Sequence, residues 1–93
     1  MSYEQRQEGL RLLREMAGDL VVGEWDHDRQ SVRLHHGDRL VARVSQEVLE
    51  DWPATPGITG IVEQGLRMAR EEARAAAGTP RVLSITTTGS RFE

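Results

Sequence analysis

Ninety-three residues, 38% of them hydrophobic and 29% charged, suit one folded domain over 1–93 and argue against a disordered chain. The lack of cysteine excludes disulfide frameworks, thiolate zinc sites and cysteine nucleophiles. A net charge of −3 gives no general attraction to nucleic acid or to an anionic membrane. No stretch reaches the roughly 18 apolar residues of a membrane span, and the opening MSYEQRQEGLRLLREM lacks the apolar core of a secretory signal. The expectation is a cytoplasmic protein. All 12 basic residues are arginine; GC-rich coding explains this as well as a need for bidentate contact to carboxylate or phosphate.

In chain order, Ser2 and Gln5 form a capping-box pair ahead of Leu10, Leu13 and Ala17 at helical spacing, with Leu12 and Met16 on the adjacent strip. Gly18 can end that helix in the left-handed conformation, so residues 3–17 are predicted helical, with Gly9 a weak point in the middle. From 20 to 44 the period falls to two, in runs 20–26, 31–36 and 39–44 separated by turn-forming residues. An even-length first turn sets Trp25 opposite Val32 and Glu24 opposite Arg33. An odd-length second turn sets Leu34 opposite Leu40 and Val32 opposite Ala42. One face then collects Val21, Gly23, Trp25, Val32, Leu34, Leu40, Ala42 and Val44 as core. The other collects Val22, Glu24, Arg33, His35, Arg39, Val41 and Arg43 as the wet side.

Ser45 is expected to cap a short helix from Gln46 to Trp52, with Val44 and Leu49 as a hydrophobic staple. Pro53 stops it. Thr55 and Pro56 then open a long helix over about 57–77, carrying the stripe Ile58, Ile61, Val62, Leu66, Ala69, Ala73 and Ala76. Glu63 with Arg67 and Arg67 with Glu71 pair on its wet side. Gly78 and Pro80 end it. Residues 82–88 form a last strand with Leu83 and Ile85 inward, and the final residues are expected to fray. The order α-β-β-β-α-α-β makes an α+β fold: an antiparallel β-meander plus a C-terminal strand, covered by one long and two shorter helices.

Residues 25–33 (WDHDRQSVR), 44–51 (VSQEVLED) and 83–87 (LSITT) resemble the bacterial domain-of-unknown-function family numbered fourteen-eighty-eight. The resemblance covers roughly residues 20–92 and implies a fold only, since that family has no established activity to carry over. The connector at 53–57 and the tail Gly-Ser-Arg-Phe depart from it. A slighter likeness, of Thr55-Pro56-Gly57 and residues 66–77 to HicB-type antitoxins, is broken by the helix at 46–52.

His27, His35 and His36 with Asp26, Asp28 and Asp38 are the residues that most resemble a metal cluster. Adjacent strand residues point to opposite faces, however, so they do not converge. Glu47, Glu50 and Asp51 on a short helix read as solvated rather than as an acid–base pair. Ser84 and Thr86–Thr88 lack the elbow that activates a nucleophile, and Gly57 and Gly60 form no phosphate loop. No catalytic residue, metal or cofactor is predicted. The mixed basic and apolar face with Arg33, His35, Arg39 and Arg43 is the better candidate, together with Trp52 as an interface anchor if its indole is exposed. The reading is a non-enzymatic protein–protein interaction module, a small regulator or inhibitor that is expected to form a homodimer. The alternative is a small nucleic-acid-associated protein using the arginine face.

Overall fold

Apolar spacing at 10, 13 and 17 with a left-handed glycine behind it makes α1 (Ser2–Ala17), and Gly18 does adopt φ +63°. The computed structural model describes residues 2–75 and 81–93, so the expected capping by the Ser2 side chain, the contact at Ala76 and the stop at 78–80 lie outside the described residues. Three runs of alternating residues follow as β1 (Val21–Asp26), β2 (Ser31–His36) and β3 (Arg39–Ser45). Ser45 caps α2 (Gln46–Asp51), its hydroxyl accepting from the Val48 amide at 3.3 Å. A 3-10 turn over Trp52–Ala54 leads to α3 (Ile58–Ala75). Two further strands close the chain, β4 (Leu83–Thr86) and β5 (Gly89–Phe92).

The fold is α+β in the expected order, with one strand more than the periodicity indicated. Gly89, at φ +131°, turns the tail back on β4 instead of leaving it to fray. The sheet order is β1-β2-β3-β4-β5. Neighbours are antiparallel except β3 and β4, which run parallel across the α2–α3 excursion. Parallel neighbours require such a crossover, because a tight hairpin can only reverse the chain.

Two bulges revise the predicted faces. Trp25 does pair with Val32, but Val22 pairs with Leu34, so Gly23 and Glu24 together oppose Arg33. One inserted residue inverts every side chain beyond it. Val22 therefore packs on the core and Val21 stands 57% exposed, the reverse of the expected arrangement. The second hairpin turns through two residues, Gly37 and Asp38, and Val32 faces Val44 while Leu34 faces Ala42. The register shifts again past Leu34, leaving Val41 as the extra residue. Val41 is buried, while Leu40 pairs with His35 on the wet side.

The core lies between the face formed by Val32, Leu34, Ala42, Val44, Leu83 and Ile85 and the apolar stripes of the three helices. Burial of Ile58, Val62, Leu66 and Ala69 confirms the α3 stripe, and Val44 with Leu49 confirms the staple. Gly9 proves to be a contact point as well as a break in propensity. A Cβ there would stand 2.2 Å from the Leu49 carbonyl oxygen, so α1 rests on the backbone of α2. Arg70 of α3 donates to the carbonyls of Met16 and Ala17 at 3.1 and 2.6 Å and to Asp19 at 3.1 Å. It thereby satisfies the Met16 carbonyl at the end of α1 and shares the Ala17 carbonyl with the Leu20 amide.

Candidate functional site

With the helices packed on one face, the other face of the sheet is uncovered among the described residues. Its residues are set by pairing. Arg33 of β2 lies opposite Arg43 of β3, Arg43 beside Ser84 of β4, and Ser84 opposite Arg91 of β5. These four make one row across four strands, about 14 Å long at about 4.8 Å per strand. A second row starts from Asp26, Ser31 and Ser45, and a third holds the exposed Val21, His35 and Leu40.

Two arginines directly opposite one another repel. The structure offsets this with Asp26, only 7% exposed, whose Oδ2 lies 3.3 Å from Arg33 Nη2 and 3.8 Å from Arg43 Nε. Its Oδ1 accepts from the amides of Asp28 and Arg29 at 3.1 and 3.2 Å, which shapes the turn at 27–30. Burial acts most strongly on this carboxyl and opposes its ionisation. The Arg29 amide, the Arg33 guanidinium and the Asp28 amide together outweigh burial and hold it below the ordinary value. Asp26 is thus a fixed anion that organises the turn and both arginines.

Beside this group lies a cleft of about 130 Å³ lined by Arg29, Ser31, Arg43, Ser45, Ser84 and Glu93. Glu93 reaches into it, its Oε1 accepting from Arg43 Nη1 at 2.7 Å and standing 3.7 Å from Arg29 Nη1. Ser31 is 4% exposed, and its Oγ has no hydrogen-bond partner among the described residues. Arg43 Nε is buried there without a hydrogen bond as well. A wider polar groove of about 490 Å³ continues past Ser84 along Thr86, Thr88, Gly89, Ser90 and Arg91. Donors dominate this surface, so chemically it is suited to holding anionic oxygen.

Of the residues singled out from sequence, Arg33, His35 and Arg43 share the open face. Arg39 does not, because it pairs with His36 beyond the second bulge and falls on the opposite side. Trp52 is 3% exposed with its Nε1 donating to Thr59 Oγ1 at 2.9 Å, so it belongs to the core rather than to an interface. The histidines and aspartates separate: Asp26 serves the turn, while His36 lies 3.7 Å from Asp19 near the end of α1. Among the described residues no three such side chains gather as metal ligands, and no helix is long and apolar enough to cross a membrane. Ser84, Arg91 and Glu93 were missed as site residues. Their place depends on β5 and on a parallel pairing that alternation does not announce. The chain matches no family model, no curated protein and no solved structure. The likeness to the family numbered fourteen-eighty-eight therefore rests on its three short motifs.

Proposed function

We propose that this protein is an interaction module that docks an acidic segment of a partner protein across its open sheet face. The observation that carries this reading is the row Arg33–Arg43–Ser84–Arg91 on a face that none of the described helices covers. About 14 Å accommodates about four extended residues, and both clefts have Ser84 in their lining. Arg91 forms no ion pair among the described residues, and Arg33 shares its anion with Arg43, so capacity for an incoming carboxylate is left over. Bidentate guanidinium–carboxylate contact is the recognition such a row favours.

Nucleic acid fits the face less well. Binding of single strands on a sheet relies on aromatic platforms, and here Trp25 and Phe92 pack toward the core side while Trp52 is buried.

The test is fluorescence anisotropy of a labelled ten-residue glutamate-rich peptide, with a single-stranded oligonucleotide of equal length alongside. The expected result is saturable peptide binding, weakened at least about tenfold by Arg33→Glu with Arg91→Glu, in variants whose circular dichroism is unchanged. Peptide binding that ignores this pair, or oligonucleotide binding that falls steeply with salt, would overturn the proposal. Sedimentation of both chains adds a further check: self-association abolished by the same pair would make the face a homodimer interface instead.

A further inference from the structure

The cleft beside Arg43 already holds a carboxylate, supplied by the chain itself. Glu93 Oε1 takes Arg43 Nη1 at 2.7 Å with Arg29 Nη1 at 3.7 Å, while its amide donates to the Val82 carbonyl at 2.8 Å and anchors its backbone. Its grip uses one carboxylate oxygen and one nitrogen of the Arg43 fork. Ser31 Oγ remains buried without a hydrogen bond among the described residues, and Arg43 Nε has only Asp26 Oδ2 near it, at 3.8 Å and beyond hydrogen-bond reach. A buried hydroxyl left unpaired is costly, and a ligand reaching Ser31 would recover that cost. Open space of about 130 Å³ remains beside the Glu93 side chain.

We infer that this cleft is a carboxylate-binding subsite and that Glu93 is its resident, displaceable ligand. Building on the docking proposal, an acidic segment completes its contact by placing one of its own carboxylates against Arg43 and Ser31 as Glu93 swings out. Glu93 therefore acts as a built-in competitor that lowers apparent affinity by the fraction of time it occupies the cleft. The Ser31 hydroxyl donates only to the incoming group, so it distinguishes the incoming group from the resident one.

The experiment is a set of NMR titrations of the Ser31 and Ser84 amides and the Arg43 Nε–H at constant ionic strength. The probes are acetate, inorganic phosphate and the glutamate-rich peptide, and the chains are wild type, Glu93→Gln, Glu93→Gln/Ser31→Ala and the control Glu63→Gln. Glu63 is exposed on α3, on the helix side of the sheet, so its neutralisation changes net charge equally without touching the cleft or the arginine row. Glu93→Gln should tighten acetate and peptide by about three- to tenfold, Glu63→Gln by less than about twofold, and Ser31→Ala should reverse most of the gain. Acetate binding that shows this pattern while the peptide fails supports the subsite and rejects the acidic-segment reading. Peptide binding dependent on Arg33 and Arg91 but equal in wild type and Glu93→Gln keeps that reading and overturns the subsite. Equal effects of Glu93→Gln and Glu63→Gln, saturation by phosphate without acetate, or no saturable shift with any probe would overturn it as well.

Discussion

Replacing Gly9 by alanine opposes two effects whose balance the structure decides. Gly9 sits inside α1, where alanine is better by about 1 kcal/mol on helix propensity alone. The new Cβ, however, would lie 2.2 Å from Leu49 O and 2.7 Å from Leu49 C and Cα. Those are backbone atoms of the fully buried Leu49, so relief requires α1 to shift by several tenths of an ångström or more. Leu10 and Leu13 would then lose fit in the shared core, and such overpacking costs about 1–3 kcal/mol, occasionally more. Because the clash is with backbone, the upper half of that range, about 2–3 kcal/mol, applies, and the net expectation is destabilisation of about 1–2 kcal/mol, or a fall in Tm of about 4–16 °C for a domain of this size. Gly60 is the internal control: it lies in α3 with nothing within 4 Å of a Cβ, so Gly60→Ala should raise Tm slightly. Thermal melts by circular dichroism read both variants. A Gly9→Ala protein stabilised in step with Gly60→Ala would refute the close approach of α1 to α2.

Arg70→Ala should cost about 1–3 kcal/mol, because it strips charge-assisted bonds from the Met16 and Ala17 carbonyls; urea unfolding with a midpoint equal to wild type would contradict this. Asp26 is held below its ordinary value of 3.8, so its contribution is present above that pH and is lost as pH falls toward its folded value. Asp26→Asn keeps the acceptor for the turn but not the charge. Its deficit against wild type should therefore shrink as acid unfolding is followed below about pH 4, and a deficit independent of pH would refute the assignment. In Trp25→Phe the remaining Trp52 should emit at short wavelength and resist acrylamide quenching, as a 3% exposed indole must; red-shifted, quenchable emission would place it elsewhere.

The α3 stripe, the Ser45 cap and the three strand positions were legible because each rests on a local period or a single capping interaction. Faces were harder to read. Val21 and Val22 are both apolar, as are Leu40 and Val41, so alternation remains consistent with either side when a bulge inserts one residue. Arg33 and Arg43 pair on the regular side of the second bulge, with no inserted residue between them, and their shared face is the expected one. Arg39, only a few residues away, was not, because the second bulge lies between. The Arg70 tether, the Gly9 contact and the Ser84–Arg91 extension each join distant segments. Nothing in the residues nearby in sequence marks such partnerships.

The parallel seam between β3 and β4 also bears on the order in which the molecule assembles. The β1–β2–β3 meander closes through short turns, whereas β4 can reach β3 only after the chain of residues 46–82 has folded back, at a greater loop-closure cost. Asp26, Ser31, Arg33 and Arg43 belong to the early-closing part; Ser84, Arg91 and Glu93 belong to the hairpin that docks across the seam. The anion-holding cleft straddles that line. It is therefore complete only when the last hairpin is in place, and amide exchange along β4 and β5 would report how often the native chain opens it.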